Sequence, residues 1–298
     1  MGKLHDHILH NLALFAAISV CAIWGETFVS SKILLQAGLL PSDIFFIRFC
    51  IAYLCMCMFS HARWRAGSWT DELLLLSLGA TGGSIYFLSE NMALVYSTAS
   101  NVAILVGTTP LVTALLLSLF YKEERMNRRQ IVGSVVAFLG MILVILNGRY
   151  VLHLNPKGDV LALGASLTWG FYSLIIKRLS VRYDSLFITR KVFGYGIITL
   201  LPYLTFVSPL NIDLNILSRP QVWGNLLYLG FVASMLCYFT WNWALTKLGT
   251  VRATNVIYLQ SFFTMLFSYL ILKERITLMA IAGTFVLIIG MAMTARRA

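Results

Sequence analysis

The chain has 298 residues, of which 59% are hydrophobic and 12% charged, and its mean hydropathy is +0.80. Soluble domains carry about 25% charged residues, so this chain cannot cover itself with a charged shell. That excludes an ordinary soluble enzyme, a disordered chain and a collagen-like chain, and makes lipid the expected solvent.

A membrane-crossing helix takes about 20 apolar residues. Ten apolar segments follow in chain order, near 11–33, 43–60, 72–92, 98–121, 130–147, 158–178, 185–207, 221–245, 252–272 and 278–295. They are long and apolar on nearly all faces and lack the short alternation of barrel strands. The expected class is therefore an all-α membrane protein with ten transmembrane helices. The first segment is read as a span and not as a cleaved signal peptide, because more apolar segments follow it.

The formal net charge of +11 is read through the positive-inside rule. With the N-terminus inside, the inner segments hold Lys3, Arg63, Arg65, Lys122, Arg125, Arg128, Arg129, Lys177, Arg178, Arg182, Lys247, Arg252, Arg296 and Arg297. The outer loops hold Arg149, Lys157, Arg219, Lys273 and Arg275. Both termini are thus expected in the cytoplasm of a multi-pass inner-membrane protein. The charges form no single basic stripe with interleaved aromatics, so nucleic acid is not an expected partner. Cys21, Cys50, Cys55, Cys57 and Cys237 all lie in apolar stretches without a C-x-x-C pair. They read as small apolar residues in packed helices.

The two halves of the chain resemble each other. At an offset of 150, Leu116, Ser118, Glu124, Arg125, Ile131, Gly133, Val136, Gly140 and Met141 recur as Leu266, Ser268, Glu274, Arg275, Ile281, Gly283, Val286, Gly290 and Met291. Asn91-Met92-Ala93-Leu94 recurs as Asn242-Trp243-Ala244-Leu245, and Trp24, Gly25 and Lys32 recur as Trp169, Gly170 and Lys177. Two units are expected, 1–148 and 149–298. Five spans is an odd number, so the second unit runs through the membrane inverted. Inverted repeats build two alternating gates around one midplane site in many secondary transporters.

Ten spans in two five-helix halves, a W-G pair in the first helix of each half and an E-R pair after the fourth together resemble the drug/metabolite transporter superfamily. EamA-type exporters are the nearest likeness, and the aromatic amino-acid exporters are similar members. The resemblance implies a monomeric, cofactor-free exporter of small metabolites, often amino acids. It further implies alternating access through a cavity lined by the first, third and fourth helices of each half. Members often carry a proline inside the fourth helix of each half. Here Pro110 stands in the first half and Gln260 in the second, so the resemblance does not carry over a symmetric pair of kinks.

Candidate substrate-binding residues are those whose chemistry sits badly in lipid. Glu26 lies mid-span, able to meet a substrate ammonium, to carry a coupling proton or to make a structural pair. Glu90 lies one helical turn beyond Tyr86, on the same face. Asn91 and Asn242 are repeat-related, each four residues after an aromatic (Phe87, Tyr238), and fit either interhelical glue or cavity lining. Trp24 and Trp169 lie away from the interfacial belt and need partners for their N–H groups. With Tyr86, Tyr172, Tyr238, Trp241 and Tyr258 they suit an aromatic cage. Pro110 is a candidate hinge that frees the carbonyl of Val106. Lys32, Arg48, Arg190 and Lys191 lie near span ends and are expected to snorkel to the interface. Gly79 and Gly83 have the spacing of close helix packing.

Val192-Phe193-Gly194-Tyr195-Gly196 is filter-like in composition but lies inside a long apolar span. His5, His7 and His10 are in the N-terminal tail, and His61 and His153 are in loops. No zinc-protease, nucleophile-elbow or phosphate-loop motif is present, so no metal or cofactor is expected and energy must come from gradients. The reading is therefore an exporter of small metabolites, amino acids including aromatic ones. Other metabolites, drugs or nucleotide sugars are alternatives on the same fold, and an intramembrane enzyme or a channel are rivals from other classes. The acidic mid-span charges argue against nucleotide sugars, which want paired cations.

Overall fold

The computed structural model describes residues 2–59, 63–96, 99–121, 125–146, 155–211, 213–272 and 276–295. Among them there are helices and connecting turns but no strands. In chain order these are α1 (Gly2–Gln36), α2 (Pro41–Phe59), α3 (Trp69–Gly79), a π-helical segment (Ala80–Ser84) and α4 (Ile85–Tyr96). Then come α5 (Ala99–Val106), α6 (Thr109–Phe120), α7 (Arg128–Leu146), α8 (Pro156–Leu179) and α9 (Ser185–Phe206). A short α10 (Leu214–Leu217) precedes α11 (Pro220–Leu227), a second π-helical segment (Tyr228–Leu236) and α12 (Cys237–Leu248). The chain closes with α13 (Thr250–Val256), α14 (Tyr258–Leu272) and α15 (Leu278–Ala295). Among the described residues six helical stretches are long and apolar enough to cross a membrane, and Ile104–Phe120 and Leu278–Thr294 are shorter apolar helices.

Large apolar side chains such as Phe15, Leu119, Phe206 and Phe285 are exposed, while Ser166, Ser173, Thr189, Arg190 and Asn242 are buried. This is the reverse of a soluble protein and is what a lipid solvent selects. The five cysteines are free thiols, with Cys21 and Cys237 buried.

The glycines of the sequence repeat meet one another. A Cβ on Gly133 would lie 2.8 Å from the Gly290 carbonyl oxygen, and one on Gly140 would lie 2.8 Å from that of Gly283. One on Gly290 would lie 2.2 Å from the Ala137 nitrogen. α7 and α15 therefore cross backbone against backbone, which only a missing side chain permits. Their mutual pattern, first glycine on second and second on first, is that of a self-complementary interface. Gly79 likewise meets Tyr195 and Gly196 of α9, as its spacing suggested. The filter-like run is plain α9 helix, with Gly194 against Tyr53 and Gly196 against Phe49.

Both halves of the chain interrupt their helices at equivalent places. The two π-helical segments are one pair. The break at Gly107-Thr108 and the break at Ile257 are the other, marked by 3.1 Å and 3.0 Å bonds from Thr108 N to Leu105 O and from Ile257 N to Thr254 O. A symmetric pair of breaks is thus present although Gln260 replaces the second proline. The second break forms without a proline, and at the first the Thr108, Thr109 and Ser166 hydroxyls donate to the Leu105 and Val106 carbonyls.

One end is tied by charge. Arg182 pairs with Asp71 at 2.9 Å, Tyr183 donates to Asp71 at 2.9 Å, and Glu72 accepts from both Lys191 and Tyr195. These ties join the first turn of α3 to the α8–α9 turn and to α9. Arg190 is buried, with its guanidinium 4.6 Å from the Trp64 ring centroid. Arg190 and Lys191 are held at this end by the Arg63 carbonyl, the Trp64 ring and Glu72. The side chains of Lys32, His5 and His7, and all of His61, His153, Glu124, Glu274 and Arg275, lie outside the described residues.

Candidate functional site: an aromatic cluster between the two halves

The W-G pairs do two jobs. Gly25 and Gly170 let neighbours approach: a Cβ on Gly25 would lie 2.9 Å from Phe263 Cβ on α14, and one on Gly170 would lie 2.7 Å from Leu116 Cδ1 on α6. The preceding tryptophans then face each other across the halves. Trp24 of α1 and Trp169 of α8 meet edge to face, with centroids 5.7 Å apart. Tyr238 lies 5.9 Å from Trp24 and 6.0 Å from Trp169, Tyr86 lies 5.1 Å and Tyr172 5.0 Å from Trp169, and Trp241 lies 5.3 Å from Trp24. Such edge and tilted contacts are the favoured geometry of aromatic quadrupoles.

The π-helical segments are wired into this cluster reciprocally. Trp24 Nε1 donates to the Ala233 carbonyl at 2.9 Å, and the Tyr238 hydroxyl donates to the Gly82 carbonyl at 2.7 Å. Each π segment therefore accepts from an aromatic of the other half. Widened turns free carbonyls for such use. Gly82 has to be glycine here, since a Cβ would stand 2.2 Å from the Tyr172 ring.

Of the amides, Asn242 is locked: it accepts from the Tyr172 hydroxyl at 2.7 Å and donates to Thr189 Oγ1 at 3.0 Å. That is interhelical glue. Its repeat mate Asn91 is half-buried, and among the described residues no hydrogen bond reaches it. Glu90 is 8% exposed and accepts from the Tyr86 hydroxyl at 3.1 Å. Glu26 is half-buried and accepts from Ser30 Oγ at 2.9 Å, beside Tyr228, whose hydroxyl donates to the Ile23 carbonyl at 3.1 Å. Tyr258 is not brought to the cage. It packs with Ala137, Met141 and Leu287 in a separate core, because α14 begins there with its face toward α7 and α15. The Val106 carbonyl behind Pro110 is taken by Thr109 Oγ1 at 2.6 Å and Ser166 Oγ at 3.0 Å, so it is not left open toward the cluster.

Arg48 belongs to the site, although its place near a span end suggested snorkelling. It is 6% exposed, donates through Nε to Ser234 Oγ at 2.8 Å, and lies over the Phe87 ring at 4.5 Å. It is within electrostatic reach of Glu90, Tyr86 and Tyr238. The spacing held a signal: Phe45, Arg48, Phe49, Ala52 and Met56 form one buried stripe of α2 at three- and four-residue steps. The indole nitrogens of Trp169 and Trp241 are buried without a partner among the described residues, as are the hydroxyls of Thr113, Ser173 and Tyr258. An orphaned donor is costly unless something outside the chain fills it.

The EamA-like transporter family model matches residues 11–146 and again 156–296. An "Uncharacterized transporter" of Archaeoglobus fulgidus is 27% identical over 91% of this chain and 93% of its own length. A "Probable amino-acid metabolite efflux pump" of Salmonella typhimurium is 25% identical over 93% and 92%. A "Probable terminal-alkyne amino-acid exporter" of Streptantibioticus cattleyicolor is 27% identical over 76% and 74%. One crystal structure matches with a TM-score of 0.79 at 15% identity, over 97% of this chain and all of the other, which establishes a shared fold. These relatives are named as transporters, exporters or pumps and not as enzymes. The chain is a multi-pass membrane protein of the EamA-like transporter family.

Proposed function

We propose that this protein is a secondary transporter that exports small metabolites, chiefly amino acids including aromatic ones, across the cytoplasmic membrane by alternating access. In this reading ten helices cross the membrane as two units, 1–148 and 149–298, the second inverted, with both termini in the cytoplasm and the monomer as the working unit. The reciprocal glycine contacts of α7 and α15 and the paired helix interruptions support the inversion. The observation that carries the function is the meeting of Trp24 and Trp169 at 5.7 Å, one from each half, in a cluster that also holds the buried acid Glu90. Aromatic faces suit an apolar or aromatic side chain, and an acid there suits an ammonium group. Two relatives whose names include amino-acid export or efflux point the same way.

The test is uptake of a labelled amino-acid panel into proteoliposomes, with and without a pH gradient. Saturable flux of at least one amino acid is expected; a channel would not saturate, and no flux across the panel sinks the reading. For Glu26, Glu26→Gln should cut transport while leaving the elution profile of the purified protein unchanged. Full transport by that variant refutes its role.

A further inference from the structure

The exporter reading accounts for the aromatic walls and for Glu90. It leaves unexplained a buried guanidinium in the same place. Arg48 stays charged at any physiological pH. Its only side-chain hydrogen bond among the described residues runs from Nε to Ser234, so its two terminal nitrogens, four N–H donors, have no partner there. Arg48 lies over Phe87, whose neighbour Tyr86 packs 5.1 Å away and bonds Glu90, yet Arg48 and Glu90 form no ion pair. Glu90 accepts instead from Tyr86. Two opposite charges, each at most 8% exposed, are thus held near each other but apart. Had the fold needed only to neutralise them, direct pairing would have been the cheaper arrangement, because an unpaired buried charge is strongly destabilising. Trp169, whose indole nitrogen has no partner among the described residues, packs at 5.1 Å on Tyr86, the donor to Glu90. Donors without acceptors, next to a cation, ask for an anion. A carboxylate acid opposite them asks for a cation. A ligand carrying both, a few ångströms apart, is a zwitterion.

We propose that Arg48 is a specificity-determining residue of this transporter, binding the carboxylate of an α-amino acid whose ammonium faces Glu90. This rests on the exporter reading above and goes beyond it. Arg48 presents a planar fork matched to a carboxylate. Ser234 and the Phe87 ring fix the orientation of that fork from the Nε side and from one face. The consequence is discrimination: an amine that lacks the carboxylate leaves the guanidinium unpaired and is rejected.

The experiment is competition for uptake in proteoliposomes with three matched probes: L-phenylalanine, L-phenylalaninamide and phenethylamine. Wild-type protein should favour the acid over the other two by about tenfold or more, the scale of one hydrogen bond to a charged group. Arg48→Gln should bring the three to within about twofold of one another. Should that variant fail to fold, Arg48→Lys decides, since it keeps the charge but loses the fork; the preference should then narrow several-fold. A wild-type protein that takes phenethylamine as well as L-phenylalanine overturns the proposal while leaving the exporter reading intact. So does an Arg48 variant, folded by its elution profile, that keeps the full preference. A wild-type protein that takes none of the three, in a panel where no other amino acid moves either, overturns both.

Discussion

Along the seam between α7 and α15, Gly133, Gly140, Gly283 and Gly290 bring two backbones together with no room for a Cβ. In the central cluster, by contrast, Trp169 and Trp241 bury indole nitrogens with no partner among the described residues, and Arg48 and Glu90 bury charges that do not pair with each other. Both regions join the first half of the chain to the second. The seam does it by dispersion, which needs only close approach. The centre does it with polar groups that are incompletely matched among the described residues, and such groups cost free energy. The same two halves thus meet in two ways, through close backbone contact at the seam and through polar and aromatic groups at the centre.

Substitutions should separate the two regions, beginning with the largest effect. Gly290→Leu places its side chain against the backbone of Ala137, which cannot step aside. The expected result is a loss of more than about 3 kcal/mol, seen as aggregation in place of a monodisperse elution peak. A folded, active Gly290→Leu protein would mean that the seam is not a close-packed interface. The two tryptophans of the centre come next. Trp24 Nε1 has a partner in Ala233 and Trp169 Nε1 has none. Trp24→Phe should therefore cost about 1 kcal/mol more in stability than Trp169→Phe, while Trp169→Phe should reduce substrate affinity several-fold. Thermal melts of the two proteins beside uptake titrations check both; equal melts would show that the Ala233 bond contributes nothing. The smallest effect belongs to the ionic end. The Arg182 side chain is 56% exposed, and Asp71, at 5% exposed, still accepts from the Tyr183 hydroxyl when Arg182 is removed, so the loss is small. Arg182→Ala should leave the melting temperature within about a degree of wild type, and a drop of several degrees would place that tie among the main supports of the fold.

Much of the architecture was legible in the chain. Helical class followed from long segments apolar on all faces, and the repeat marked Trp24 and Trp169, and the seam glycines, as equivalent positions; that they touch is a property of the packing. Of the candidate site residues, Trp24, Tyr86, Glu90, Trp169, Tyr172, Tyr238 and Asn242 lie together in the structure. Asn91 is its half-buried, unbonded neighbour in sequence, Glu26 lies a turn away along α1, and Tyr258 packs elsewhere. Arg48 was misjudged because its distance from the helix end suggested an escape route to water; its place on the Phe45–Phe49–Ala52 stripe was the better guide. The break near Ile257 was not expected because proline was taken as its cause.

What the sequence by itself determined is the solvent, the helical class, the twofold organisation and the motif positions. These depend on composition and periodicity, which are local and additive along a chain. Only the tertiary structure decided that Asn242 is locked while two indoles are not, that Arg48 faces inward, and that each π-helical segment serves an aromatic of the opposite half. Those outcomes depend on which partner arrives at hydrogen-bonding distance. In lipid no water stands by to substitute for a missing partner, so the packing of distant helices settles which polar groups are satisfied and which are not.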